Sequence, residues 1–426
     1  MDLVKLVSLP VIALSFLIGC GGGSSNSSQT TNNEESVPEL PSVQGEFKSK
    51  KDSGFVFPTN LISMYASNKC QRYDRYYETE NVLVFGSAVP TAELFERFAT
   101  WTEFGLTELK QKMGVDLVAL QQKYSFSLET YLTAAKYLQE QLGHFEGNML
   151  YQQITGEELP LSYEDITSFP EQQKFLYKKV RQLSLVQLNT LIKIIQEDSA
   201  YSKLSASFAQ ALPGKPIVCL NPAYNSSDLW ATGNLVGYTA RTNDARPSSA
   251  YIVTHELTHT LQHQYVTYLS QVDRWFLEGS AEYAMGHEPD PNNHTKGYPL
   301  DDKYQSVLGS NSYSHYGIAV TYLEGTSPGF TMNVLKHIAD HGIYHVVEYG
   351  DYSEYEYDKF NQPNPDFRAA FNAYAKRPDG SALTYADFES EYHELIDQWI
   401  AISPTALSRS SSQLIDTNSE PFLLER

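Results

Sequence analysis

The spacing of apolar side chains predicts a chain that is mostly helical. Apolar residues recur at helical spacing over residues 91–153 and 171–207, and again over residues 367–402. In the last of these segments the apolar positions expected to cover a core are Phe371, Leu383, Phe388, Leu395 and Trp399. Short apolar runs at residues 82–85 and 235–240 predict strands. The predicted fold class is α+β, mostly helical, with one small sheet.

A further helix is predicted to begin at the Pro-Ser-Ser run 247–249 and to continue to about residue 265. This helix carries the run His-Glu-Leu-Thr-His, in which His255 and His259 lie four residues apart. Residues at that spacing share one face of a helix, so both imidazoles can bind a single metal ion. Glu256 lies beside them, where a carboxylate can take a proton from metal-activated water and return it to a leaving amine. This pattern is typical of zinc hydrolases.

A catalytic zinc needs three protein ligands and one open position for water. Residues 275–283 place Glu278 and Glu282 four residues apart on one face of a second predicted helix. We expect Glu278 to be the third ligand and Glu282 to accept the other ring N–H of a zinc-bound histidine, and the reverse assignment stays open. His263 continues the histidine spacing, but eight residues beyond His255 it lies roughly 12 Å along the helix axis, too far to share the metal.

The two strings HELTH and WFLEGSAEY together resemble the gluzincin class of metallopeptidases. The second string is similar to the Glu-Gly-x-Ala-Glu-Tyr segment of bacterial collagenase-type and related, thermolysin-like catalytic domains. The resemblance covers residues 231–323 and implies a zincin fold with a small sheet and a helical C-terminal subdomain. It also implies one catalytic Zn²⁺ held by His255, His259 and Glu278, with Glu256 as general base and acid.

The same resemblance implies an oxyanion-stabilising residue and a substrate-binding strand. Tyr316 is the expected oxyanion donor, with His315 and Tyr313 as the alternatives. The predicted strand 235–240 stands where such domains have the edge strand that pairs with substrate backbone. The Gly-x-Met-Glu-Asn motif, by which related exopeptidases bind a free amine, does not occur in the sequence, and this favours endopeptidase action.

The first residues predict export and a lipid anchor. The apolar run 6–18 is too short to span a bilayer comfortably but suits a secretory leader. The following Leu-Ile-Gly-Cys resembles the lipobox of bacterial lipoproteins, which implies cleavage before Cys20 and lipidation of its thiol; a plain signal peptide is the alternative. Residues 21–51 are polar and are expected to form a disordered tether. The expected location is the bacterial cell envelope, in the outer membrane or at the cell surface.

With Cys20 lipidated, Cys70 and Cys219 remain. In an oxidising compartment two cysteines favour one disulfide, and two buried free thiols are the alternative.

The chain has 31 basic and 51 acidic residues and a formal net charge of −20, which makes nucleic acid a poor partner. Acidic stretches at residues 288–293 and 348–358 are candidates for Ca²⁺, although neither follows the ligand order of an EF-hand.

The predicted function is that of an envelope-anchored zinc endopeptidase, which hydrolyses peptide or protein substrates with metal-activated water. The alternatives are a catalytically silent surface binding or adhesion lipoprotein on the same scaffold, and a zinc hydrolase of a non-peptide amide. The expected division of the chain is a leader at 1–19, a tether at 20–51, a largely helical region at 52–230, the catalytic region at 231–405 and a flexible tail at 406–426.

Overall fold

The structure is a computed structural model, and it describes much of the chain between residues 40 and 402. The residues described are 40, 43–55, 70, 72–124, 126, 128–160, 163, 166, 169–198, 201, 214–222, 228–232, 235–240, 249–266, 272–286, 311–341 and 365–402. The predicted leader, the predicted lipidation site Cys20, the expected tail and both candidate calcium segments lie outside these residues.

Helices dominate the described residues, as predicted. In chain order they are α1 (Lys50–Ser53), α2 (Ala92–Met113), α3 (Leu117–Lys123), α4 (Leu128–Leu142), α5 (Phe145–Thr155), α6 (Phe169–Gln182), α7 (Leu185–Glu197), α8 (Ser249–Gln262), α9 (Arg274–Met285), α10 (Asn311–Thr326), α11 (Phe330–His341), α12 (Pro365–Tyr374) and α13 (Tyr385–Ile402). Among the described residues, no helix combines the length and apolar composition needed to cross a membrane.

A small sheet accompanies the helices, which confirms the α+β, mostly helical class. Its strands are β1 (Glu46–Ser49), β2 (Arg75–Glu78), β3 (Leu83–Gly86), β4 (Ile217–Pro222), β5 (Asp228–Thr232) and β6 (Leu235–Ala240). Their order across the sheet is β1-β2-β3-β4-β6-β5. The central neighbours β3, β4 and β6 are parallel, whereas β1, β2 and β5 join antiparallel to their neighbours.

The strand predicted at residues 235–240 is present as β6, but its expected place at the sheet edge is wrong. It pairs with β4 on one side and with β5 on the other. Only two residues separate β5 from β6, and so short a connection requires antiparallel neighbours. Within the described residues, β5 is therefore the edge strand on this side.

The sheet separates two clusters of buried side chains. Alternate residues of a strand point to opposite faces, and β3 and β4 are apolar at every position from Leu83 to Phe85 and from Ile217 to Leu220. Val84 and Val218 join the main core, whose largest members include Phe95, Phe98, Trp275, Phe276, Phe330 and Phe371. Phe85 and Cys219 join a smaller cluster on the opposite face. Strands β3 and β4 are thus fixed by burial on both faces.

The described structure departs from the expected division of the chain in two places. Residues Glu46–Ser49 form β1 and pair with β2, so ordered chain begins inside the segment expected to be a tether. The boundary expected after residue 230 falls within β5, and the main core combines side chains from both sides of it. A separate apolar cluster is formed instead by α4 to α7, with members such as Tyr131, Leu138, Tyr177, Leu191 and Ile195.

Cys70 and Cys219 form a disulfide, the pairing expected from the sequence. Both residues are fully buried, and their Cα atoms are 5.8 Å apart. The bond closes a span of 149 residues and attaches Cys70 to the central strand β4. A loop of this length restricts the unfolded chain strongly, which in the chain-entropy model is worth about 5 kcal/mol.

Replacing both cysteines by alanine is expected to lower the free energy of unfolding by about 2–5 kcal/mol, because the unfolded chain regains the freedom that the bond removes. Denaturant unfolding of the parent and the variant measures this difference. Reduction of the parent is the control and should bring its stability close to that of the double variant. Equal stability of oxidised parent and variant would contradict a stabilising role for the bond.

Candidate metal centre

The two histidines of the motif project from one face of α8, and the opposite face anchors the helix. Val253, Leu257 and Leu261 are fully buried in the main core. His255 and His259 are 4% and 2% exposed, so the ligand face is also enclosed. The helix begins at Ser249, as predicted, and ends at Gln262, about one turn before the predicted end.

The predicted second helix is present as α9, and it crosses α10 at two glycines. A Cβ atom on Gly279 would collide with the carbonyl oxygen of Tyr316 and lie 2.8 Å from a methyl carbon of Val320. A Cβ atom on Gly317 would lie 3.0 Å from the Cβ of Glu282. The absence of side chains at both glycines lets α9 and α10 approach closely beside Glu278.

Three side-chain atoms converge where α8 and α9 meet. The Nε2 atoms of His255 and His259 are 3.2 Å apart, and Glu278 Oε2 lies 3.2 Å from the first and 3.4 Å from the second. An edge of a regular tetrahedron is about 1.63 times the distance from its centre to a corner, so Zn–N and Zn–O bonds of about 2.0–2.1 Å require ligand atoms about 3.3–3.4 Å apart. The three atoms therefore match one face of a tetrahedral zinc site.

Hydrogen bonds on the far side of each ring fix the tautomers of the two histidines. His255 Nδ1 lies 3.1 Å from Glu282 Oε1, and His259 Nδ1 lies 2.8 Å from Gln262 Oε1. Both oxygens accept, so each neutral ring carries its proton on Nδ1. Both Nε2 lone pairs then face the carboxylate oxygen of Glu278. Three acceptors at this separation repel one another unless a cation or additional protons lie between them.

The charges around the triad favour an ionised Glu278. Burial by itself raises the pKa of this carboxyl, but positive charge on His259 and then His255 outweighs burial and lowers the pKa well below its usual range. With both rings neutral, a cation between the three side chains would have to supply that positive charge. Arg274, one turn earlier on α9, places its Nε 3.5 Å from Glu278 Oε1. Among the described residues, His255, His259 and Glu278 are the group of His, Cys, Asp or Glu side chains compact enough to hold a metal ion.

Glu256 and Glu282 are the two other carboxylates that the sequence assigns to the site. Glu256 is fully buried and directly follows His255 on α8. Burying a carboxylate is costly in free energy, so its presence inside the protein beside a metal ligand favours a chemical role. The contact of Glu282 with His255 is the one predicted for it, and the arrangement supports Glu278, rather than Glu282, as the third ligand.

The three oxyanion candidates on α10 have different surroundings. The ring centroid of Tyr313 lies 6.0 Å from that of His255. Tyr316, the preferred oxyanion candidate, is 1% exposed and is part of the main core. His315 packs its ring 4.9 Å from Tyr392 of α13. Tyr313 therefore lies beside a residue of the triad.

His263 is half-buried and outside the triad, in agreement with the expectation from helix geometry. Burial and, to a smaller extent, the neighbouring His259 lower its pKa to about 3. It is therefore a neutral side chain near neutral pH.

Gln262 is the site residue that sequence reasoning missed. Its carboxamide accepts from His259 and donates to Leu277 O at 2.9 Å and to Ser280 Oγ at 2.8 Å. The available signal was its spacing, because a residue three positions after His259 lies on the same face of the helix. The partners on α9 could be recognised only after the two helices were placed together.

Compared with protein-family models, with curated proteins and with solved structures, the chain matches none of them.

Replacing Gly279 by alanine is expected to cost about 1–3 kcal/mol, because the new methyl group forces α9 and α10 apart. The same shift moves Glu278, the adjacent residue, and should weaken zinc binding. Chemical denaturation and zinc titration measure the two effects. Gly325 on α10 supplies the matched control, since a Cβ atom there would make an ordinary 3.6 Å contact with Trp399. Equal stability and zinc affinity in both variants would show that the close approach is not needed.

Proposed function

We propose that this chain is a zinc-dependent endopeptidase of the gluzincin type, with a zincin fold in its catalytic region. The observation that carries the proposal is the convergence of two Nδ1-protonated histidines and an ionised glutamate, with Glu256 buried next in sequence to the first histidine. The ion would have three protein ligands, which are His255, His259 and Glu278. Catalytic zinc sites typically have three protein ligands, whereas structural zinc sites have four.

When bound, zinc would supply a Lewis acid that polarises a carbonyl oxygen and makes water nucleophilic near neutral pH. The proton transfers belong to Glu256. Its carboxylate takes a proton from water as the water oxygen bonds to the carbonyl carbon of the substrate. It then delivers that proton to the amide nitrogen as the C–N bond breaks, which yields a carboxylic acid and an amine and restores the carboxylate.

Tyr313 is the residue that the contacts favour for stabilising the developing oxyanion. Its ring lies beside that of His255, whereas Tyr316 is almost fully buried in the main core. A phenolic O–H can donate to a negatively charged oxygen, and such donors are often worth several kcal/mol in the transition state. The sequence-based preference for Tyr316 stays a prediction, and a pair of variants separates the two.

The position of β5 supports a peptide substrate rather than a non-peptide amide. Within the described residues, β5 has a neighbouring strand on one side and packs beside α8, the helix that carries both histidines. An edge strand can bind an extended peptide through main-chain hydrogen bonds. A peptide bound in this way would pass along the motif helix, as endopeptidase action requires.

We also propose that the protein acts in the bacterial cell envelope, anchored through a lipid on Cys20. The proposal is supported by the leader-like run 6–18 and the polar stretch after Cys20. The buried disulfide Cys70–Cys219 agrees with an oxidising compartment.

Replacing Glu256 by glutamine is expected to lower the turnover number by about 10²- to 10⁴-fold while zinc stays bound, because the proton acceptor is lost and the three ligands remain. Casein or gelatin cleavage and zinc content of the parent and the variant measure the effect. Zinc in both proteins with cleavage only by the parent is the predicted result.

The other outcomes of this comparison have distinct meanings. Full activity in the glutamine variant would contradict the assigned role of Glu256. Zinc in both proteins and cleavage by neither would favour the silent binding lipoprotein or a non-peptide substrate.

Tyr313→Phe is expected to lower the turnover number by about 10²-fold, whereas Tyr316→Phe should leave it nearly unchanged. Each variant removes one hydroxyl and retains the ring, so steady-state kinetics at equal zinc content compare the two directly. A loss of turnover confined to Tyr316→Phe would return the oxyanion role to that residue.

A further inference from the structure

Gln262 connects the second histidine ligand with the helix that carries the carboxylate ligand. It is the last residue of α8 and is fully buried. Its Oε1 accepts from His259 Nδ1 at 2.8 Å. Its Nε2 donates to two atoms of α9, the main-chain oxygen of Leu277 and the hydroxyl of Ser280, and Ser280 Oγ also donates to Leu277 O at 3.0 Å.

These contacts allow one orientation of the carboxamide. If its oxygen and nitrogen were exchanged, the N–H groups would face His259 and the amide oxygen would face the carbonyl of Leu277. Two acceptors would then oppose each other inside the protein, where an unsatisfied polar group costs about 1–3 kcal/mol. Because the orientation is fixed from the α9 side, the proton of His259 is fixed on Nδ1 and its Nε2 lone pair points to the triad.

The chemistry requires a residue that both accepts and donates. A glutamate at position 262 could accept from His259 but, when ionised, could not donate to Leu277. His255 is connected differently, since Glu282 reaches its Nδ1 directly from α9. Both imidazoles are therefore connected by hydrogen bonds to α9, the helix that carries Glu278. His255 is bound by a carboxylate of α9, and His259 is bound by the side-chain amide of Gln262 on α8, which in turn binds α9.

We infer that Gln262 is a positioning residue that fixes His259 relative to Glu278 and so holds the triad ready to bind the metal. Leu277, whose carbonyl the amide engages, directly precedes Glu278. One side chain thereby sets the tautomer of the second ligand and the position of the backbone next to the third. The inference deepens the proposed function and rests on the same metal site.

The test is the zinc affinity of the full chain, measured by competition with a chromophoric chelator. Gln262→Met keeps the length of the side chain and removes both hydrogen bonds, and it is expected to weaken zinc binding by about 10- to 100-fold. The d–d absorption spectrum of the cobalt-substituted variant should also differ from that of the parent, because His259 can then turn. Gln121→Met is the matched control, since Gln121 is equally buried, lies on α3 and is expected to leave affinity and spectrum unchanged.

Ser280→Ala provides a second variant that disturbs the site less. It removes one acceptor of the amide but leaves Leu277 O, so it should weaken zinc binding less than Gln262→Met does, yet more than the control. If Gln262→Met does not fold, Ser280→Ala alone tests the inference. A zinc affinity of Ser280→Ala equal to that of Gln121→Met would overturn it.

The results also separate the inference from the proposed function. If the parent binds one zinc and Gln262→Met binds it equally tightly with an unchanged cobalt spectrum, the inference is overturned and the metal site stands. If the parent itself binds no zinc, the proposed function is overturned together with the inference.

Discussion

Three hydrogen-bond acceptors lie within 3.4 Å of one another at the meeting point of α8 and α9, and all three are buried. Such an arrangement is electrostatically unfavourable without a positive charge between the acceptors. The surrounding structure nevertheless maintains it. Glu282 and Gln262 keep protons on the far side of each imidazole, which leaves both Nε2 lone pairs facing Glu278. A cation between the three acceptors would remove their repulsion, and the proposed hydrolysis depends on a cation at this position.

The rest of the fold supplies the rigidity that the triad needs. The apolar face of α8 is fixed in the main core, while the close crossing at Gly279 and Gly317 fixes α9 against α10. At the beginning of α9, Trp275 packs against Phe367, Phe371 and Phe388 of the terminal helices. The C-terminal helices therefore act on the site indirectly, through the position of the helix that carries Glu278.

How much could be predicted from the sequence depended on how local the determinants are. The ligand pairs on α8 and α9 were predictable because a spacing of four residues places side chains on one face of any helix. The disulfide was predictable because two cysteines remained. The edge position of β5 was missed because a six-stranded order cannot be read from one apolar run. Three features depend on how separate helices meet, which residue spacing does not encode. They are the hydrogen bonds of Gln262 to α9, the helix crossing at Gly279 and the contact of Tyr313 with His255.

The central claim is that His255, His259 and Glu278 bind one zinc ion together. Crystals of the zinc-loaded full chain, with diffraction data collected on both sides of the zinc absorption edge, test it most directly. The predicted result is one strong anomalous peak about 2.0–2.2 Å from His255 Nε2, His259 Nε2 and one oxygen of Glu278. A zinc peak bound elsewhere, or no peak between these residues at stoichiometric zinc, would contradict the claim.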